Sequence, residues 1–343
     1  MSLPPLRFDP LLKTRAWGGG RLRRFGRLFA ETTRVGESWD LADLPESIEQ
    51  GRSSIAEGPL KGLLLHELIR RDPTAVLGSA ANPTTTGFPL LVKLLDAQQN
   101  LSVQVHPDAA YVERHPEASI KNEAWFVLEA DVDSVIYRGI DPSLSAPDFH
   151  EMVRTQGPML EHLIRLPVRR GDCIRLPSGI CHSLGAGVLV AEVQTPSDTT
   201  FRVWDWDRND PDRPLHLNQA MECTRFGAAQ DDGMAAITRV DEIPPVETSG
   251  CRRRRLCQTP DFTIDHIEFD PGSHAITVGS TPLVLLATAG TGSVVDARRN
   301  EARLQAGDTV LVPASCDHPR LQTAESISLL QIDIPPRSGI MLA

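Results

Sequence analysis

Two stretches share one grammar: Gly171-Asp172-Cys173-Ile174-Arg175-Leu176-Pro177-Ser178-Gly179-Ile180-Cys181-His182 and Gly307-Asp308-Thr309-Val310-Leu311-Val312-Pro313-Ala314-Ser315-Cys316-Asp317-His318. Each gives Gly-Asp, a short apolar run, a proline, a tight turn and a histidine. The run reads as a strand, the proline stops it because it cannot donate to a sheet ladder, and the histidine opens a second strand. The copies stand 136 positions apart, so the chain carries one β-unit twice. Their upstream neighbours differ. Before His182 lie 101–108 (LSVQVHPD) and 121–127 (KNEAWFV), rich in groups that bind metals, whereas the corresponding 281–295 (TPLVLLATAGTGSVV) holds no His, Glu, Asp or Gln. The first copy is equipped to hold a metal; the second reads as structural, and His318 as a structural or surface histidine.

At 343 residues, 41% apolar and 23% charged, the chain can bury two cores of ordinary soluble-protein composition. A formal charge of −10 argues against a nucleic-acid partner, whose phosphates it would repel. The four arginines at 252–255 lack interleaved aromatics and read as a solvated strand edge or hinge. No stretch approaches the ~20 apolar residues of a membrane span, and the first twenty residues lack the apolar core of a signal peptide. A cytoplasmic location with no membrane partner is the expectation. Six cysteines without Cys-x-x-Cys spacing indicate neither a thiolate zinc site nor a disulfide framework.

Residues 61–71 place Leu64, Leu65, Leu68 and Ile69 on one helical face, with Pro73 closing the helix. Residues 89–108 read as two strands around a polar turn at 96–100, after which Pro107 opens a short helix. Ser145 and Asp148 form a capping box around Pro147. From 170 onward the pattern is β almost throughout, and the polar, weakly patterned stretch 228–245 marks a domain boundary.

Side chains two apart on a strand share a face, so Gln104 and His106 point one way while Val103 and Val105 pack the other way. The same parity puts Lys121, Glu123 and Trp125 in one row and sets Cys181 opposite His182. Gln104, His106, Glu123 and His182 offer two imidazoles, one carboxylate and one amide oxygen, a mixed set suited to a borderline divalent ion such as zinc. With one anion among four ligands the ion keeps net positive charge and acts as a Lewis acid. Singly, each residue has an ordinary reading: His106 could cap a helix, Glu123 could pair with Lys121, and Arg202 could stack beside Trp204 and Trp206. Ligand types delivered by separate segments at matching strand parity favour the joint reading.

The string G-x5-P-x-G-x2-H at 171–182 is the second motif of cupins. Together with VQVHPD at 103–108, Lys121-x-Glu123-x-Trp125, SDTTFRVWDWDR at 197–208, Trp17-Gly18-Gly19 and GESWDLAD at 36–43, it resembles the type I mannose-6-phosphate isomerases in their shorter bacterial form. The resemblance covers most of the chain and is weaker toward the C-terminus. It implies a mainly β fold of two cupin (jelly-roll β-sandwich) domains with a few helices inserted in the N-terminal part. Residues 1–236 would form the catalytic metal-binding domain and 237–343 a cupin-like domain without metal. It also implies one zinc ion (Zn2+) per chain on Gln104, His106, Glu123 and His182, an active-site Arg202, and Lys121, Lys93 and Ser102 lining the same pocket. The cupin pattern usually has Asn four residues after this histidine; here the position is Ala186, which is not a ligand in this family.

The implied activity is interconversion of mannose 6-phosphate and fructose 6-phosphate by proton transfer through an enediol. Such a reaction needs stabilisation of negative charge on oxygen and a base to shuttle the proton. Zinc, Arg202 or Lys121 meets the first need; Asp198, Lys121 or an ionised water near the metal meets the second. The phosphate also calls for cations. An iron-dependent cupin oxidising an apolar substrate would not need Lys121 and Arg202. A metal-binding cupin sugar sensor would lack one of these positions, and none is missing; an isomerase of a related sugar phosphate would keep them all. The expected partner is a small-molecule sugar phosphate, with monomer and homodimer both open.

Overall fold

A computed structural model describes residues 2–81, 87–155, 157–208 and 210–336. The Gly-Asp pairs set both repeats. Gly171 and Gly307 take φ of 92° and 89°, a left-handed backbone that glycine adopts without a Cβ penalty. Asp172 and Asp308 accept the backbone N–H three residues back, from Arg169 and Gln305, at 3.0 and 3.1 Å, closing each turn. The strands Asp172–Leu176 and Thr309–Val312 follow. Past the proline each repeat leaves a seven-stranded sheet for a smaller one, at His182–Leu184 and at Arg320–Thr323. The second copy departs from expectation in one respect: its strand opens at Arg320. His318 stands in the turn at φ 45° with its side chain 90% exposed, as its reading as a surface histidine requires.

Two antiparallel sandwiches result, so the mainly β fold with few helices is as expected. The first pairs a seven-stranded sheet, in the order Ile237–Arg239, Asp172–Leu176, Glu123–Ala130, Val188–Gln194, Leu91–Ala97, Leu11–Gly19, Val35–Leu41, with a five-stranded one. The latter runs Phe201–Trp204, Val103–Val105, His182–Leu184, Val135–Ile140, Leu163–Pro167. Leu95, Trp125, Val127, Ile136, Leu184 and Val190 fill the space between them. The second sandwich pairs seven strands with four. Strands Leu91–Ala97 and Val188–Gln194 are buried at every residue because the two large sheets pack against each other. Val92, Leu94, Phe126 and Ala191 meet Leu256, Ile264, Val284 and Leu330 in one core. Among the described residues, pairing crosses the expected division twice. Leu6–Arg7 joins Thr309–Val312, and Ile237–Arg239 joins Asp172–Leu176.

Several local expectations are refined. The first helix is Leu65–Arg71, and Pro73 opens a second, Pro73–Leu77, whose first turn Asp72 caps by accepting from Ala75 N at 2.9 Å. Pro107 precedes the cap: Asp108 caps Ala109–Arg114. Ser145 caps Ala146–Arg154 as the capping box predicts. The turn at 96–100 joins strands of different sheets, not a hairpin. The arginine run lies in Cys251–Gln258, second from the edge, because Val246–Thr248 pairs outside it. Its charges pair with Glu268 and Asp265 on the neighbouring strand, which excludes a hinge. No helix among the described residues is long and apolar enough to cross a membrane.

Candidate active site

Strand register builds the site from two rows of side chains facing each other across the first sandwich. On the large sheet, Trp39 is opposite Lys93, Lys93 opposite Glu192, and Glu192 opposite Trp125. On the small sheet Arg202 is opposite Gln104, and Gln104 opposite His182. Val103 and Val105 turn outward into a core with Tyr111, Phe149, Phe201 and Cys181, as the parity of the sequence requires. Between the rows lies a cavity of about 650 Å³ lined by Lys93, Ser102, Gln104, Lys121, Asp198 and Arg202, with Asp198 at its exposed mouth.

His106, Glu123 and His182 form a cluster behind this wall, each about 1% exposed, with ligand atoms all within 4.8 Å of one another. The tight turn after Pro177 helps to place it: Gly179, at φ 84°, donates its N–H to His106 O at 3.0 Å. His106 Nδ1 donates to Thr199 O at 3.0 Å and His182 Nδ1 to Ile180 O at 2.8 Å, so both rings keep the Nε2 lone pair for the cluster. Those nitrogens lie 3.4 and 2.9 Å from Glu123 Oε1. Burial, then Lys121, hold the His106 pKa down to about 3, so that imidazole is neutral. Gln104 Nε2 is 3.5 Å from His182 Nε2, and half a turn of the amide would present Oε1 to the same point.

Buried acceptors converging on one point repel one another, and Glu123 Oε1 has no hydrogen-bond donor among the described residues. The cation beside them is Lys121, 2.8 Å from Glu123 Oε2 and 3.1 Å from His106 Nε2. Burial opposes the Lys121 charge, but Glu123 and Glu192 outweigh it and raise its pKa. Burial works against the Glu123 charge too, yet Lys121 holds its pKa well below the usual carboxylate range. Two imidazoles, a carboxylate and an amide fit a divalent ion of the zinc type and leave it positively charged.

Among the lining residues that escape sequence reasoning, three bear most on the chemistry. Glu192 is the one carboxylate in the buried strand VLVAEVQ; its Oε1 has no hydrogen-bond partner among the described residues and stands 3.8 Å from Lys93 Nζ and 3.7 Å from Lys121 Nζ. Burial, opposed by Lys93, pushes its pKa up to about 8. A lone acid in an apolar strand is a legible signal. Glu37, within GESWDLAD, accepts from Arg15 Nε and Trp39 Nε1, both at 2.6 Å. Burial raises its pKa, but Lys93 and Arg15 overcome that and bring it down to about 2. Arg213 enters from the loop after Phe201–Trp204, where no strand parity gives notice of it.

A family profile described as phosphomannose isomerase type I, catalytic domain, matches residues 6–124. The mannose-6-phosphate isomerase of Streptococcus mutans is 32% identical over 314 residues, 90% of this chain and 92% of that protein. A probable mannose-6-phosphate isomerase of Bacillus subtilis, GmuF, is 37% identical over 222 residues, 64% of this chain and 67% of its own length. The crystal structure of the mannose 6-phosphate isomerase from Bacillus subtilis superposes with a TM-score of 0.82 at 27% identity, covering 97% of this chain and all of that one.

Proposed function

The chain belongs to the type I mannose-6-phosphate isomerases, and on that premise we propose that it interconverts mannose 6-phosphate and fructose 6-phosphate in the cavity between its two N-terminal sheets. The observation that carries this reading is the buried His106–Glu123–His182 cluster beside a cavity walled by Lys93, Lys121 and Arg202. These three ligands and Gln104 would hold one zinc ion, which when bound supplies a Lewis acid for the substrate's carbonyl and hydroxyl oxygens.

The chain's own residues move the protons. From the aldose, a proton leaves C2 while the C1 oxygen gains one, giving the enediol; the C2 oxygen then loses a proton as C1 gains one. Glu192 Oε1, buried and without a hydrogen-bond partner among the described residues, is the group we assign to carry the carbon-bound proton. Lys121 Nζ, 3.7 Å from it, donates toward the developing oxyanion, and Asp198 at the mouth serves the hydroxyl protons. Ser102 and Lys93 line the cavity and contact the sugar. In the same reading residues 1–236 form the catalytic unit and 237–343 a support without metal. The test is a coupled assay for fructose 6-phosphate formed from mannose 6-phosphate, before and after chelation and zinc readdition. Activity lost and then restored is expected; an inactive zinc-loaded protein would overturn the reading.

A further inference from the structure

A sugar phosphate asks positive charge for two services, one at the reacting carbons and one at the phosphate, and the cations of the cavity divide accordingly. Lys93 and Lys121 flank Glu192, and Lys121 also meets Glu123. Arg15 is taken up by Glu37 at 2.6 Å, and Lys13 Nζ donates to the carbonyls of Glu49 and Gln50 at 3.1 and 3.0 Å. Arg202 and Arg213 stand apart from these. Arg202 Nη1 donates to Pro214 O at 2.8 Å, while its buried Nε has no partner among the described residues. Arg213 sets Nε and Nη2 on the two oxygens of Asp205, at 2.8 and 3.1 Å, leaving Nη1 outside that pairing.

Asp205 is a fixed anchor: it is 7% exposed and also accepts from Arg208 Nη1 at 2.8 Å. Both side chains line the same cavity; burial first and then Arg213 disfavour the charge on Arg202, and Asp205 and Asp210 partly offset this. Neighbouring guanidinium groups, one carrying an unmet buried donor, are satisfied by an anion with several acceptor oxygens.

We propose that Arg213, oriented by Asp205 and acting beside Arg202, binds the substrate's phosphate across the cavity from Lys93, and so selects phosphorylated over free hexose. This rests on the reading above for the substrate, though not for the anion site itself. The test uses the zinc-loaded full chain and inorganic phosphate as probe. Arg213→Ala is expected to raise both KM for mannose 6-phosphate and the inhibition constant of phosphate about ten- to a hundredfold. Arg213→Lys recovers part of the loss, and Asp205→Asn, a positioning variant, weakens phosphate by a smaller factor with metal content unchanged. A phosphate inhibition constant unmoved by Arg213→Ala would overturn the assignment. If the wild-type chain does not turn over mannose 6-phosphate, the functional reading fails by itself. Calorimetric titration of phosphate into wild type and Arg213→Ala then decides the anion site: binding lost in the variant supports it, equal binding overturns it.

Discussion

Arg27→Met should cost this protein about 3–5 kcal/mol, because it removes one partner of a buried ion pair and leaves the other in place. Arg27 and Asp40 are each 4% exposed and meet at 2.6 Å. The same guanidinium donates to Ser38 Oγ at 2.9 Å, Phe25 O at 2.6 Å and Gly307 O at 2.7 Å. The last of these ties the first sandwich to the second. Methionine fills the volume but supplies no donor, so Asp40 loses its charged partner, though Ser38 Oγ still donates to it at 2.6 Å, and two carbonyls lose this donor where water enters poorly. At roughly 2 °C per kcal/mol for a chain longer than 250 residues, the thermal midpoint should fall by about 6–10 °C. Urea unfolding followed by circular dichroism reads the loss. Adding Asp40→Asn to Arg27→Met removes the orphaned charge and should recover part of it. A single variant within about 1 kcal/mol of wild type, or a double variant as unstable as the sum of the two singles, would refute the reasoning.

Further outcomes are expected. His182→Ala loses both bound metal, by elemental analysis, and activity, whereas Arg202→Ala keeps the metal and loses turnover; a fully active Arg202→Ala enzyme would sink its assignment. Glu192→Gln retains metal and lowers kcat by about 10²–10⁴, the usual worth of a general acid–base group, and an unchanged kcat would exclude it as the proton carrier. His266 stacks on Phe126 between the two sandwiches, and burial brings its pKa down to about 4 despite the pull of Glu268. A depressed folded pKa means that the unfolded chain binds the proton first. Stability is therefore complete above pH 6.5 and falls as pH drops from 6.5 toward 4, by about 3 kcal/mol from this residue. In His266→Gln that part of the slope should vanish from the pH dependence of the urea midpoint, and an unchanged slope would locate the proton uptake elsewhere.

What the sequence discloses here is what strand parity and repetition disclose. The sides taken by Gln104 and His106 against Val103 and Val105 follow from alternation alone, as does Cys181 opposite His182. The cluster of Gln104, His106, Glu123 and His182 was legible because its members sit in three short segments whose internal parity fixes them. The far wall was not. That Lys93, Glu192 and Trp125 form one row depends on register between strands about thirty to a hundred residues apart, which no local pattern encodes. Arg213 was harder still, since it reaches the cavity from a loop through an anchor, Asp205, eight residues away in sequence. Pro73 shows a third limit: a proline after a helix reads as a stop, yet Asp72 supplies a cap and the same proline becomes the first residue of the next helix.

The second sandwich carries the repeat without the ligands, and the burial pattern explains what it contributes. A sheet in an antiparallel sandwich ordinarily keeps one face wet, which leaves alternating polar positions along its strands. In Leu91–Ala97 and Val188–Gln194 every residue is buried. Lys93 and Glu192 face the cavity, while Val92, Leu94, Ala191 and Val193 face the core shared with the second sandwich. An apolar backing on one face thus holds in register the charged row on the other, and the backbone positions of Lys93 and Glu192 are fixed from behind. The C-terminal repeat needs no metal for this; it needs an apolar sheet of matching size. That is what a run such as 281–289, rich in leucine and valine and free of ligand side chains, provides.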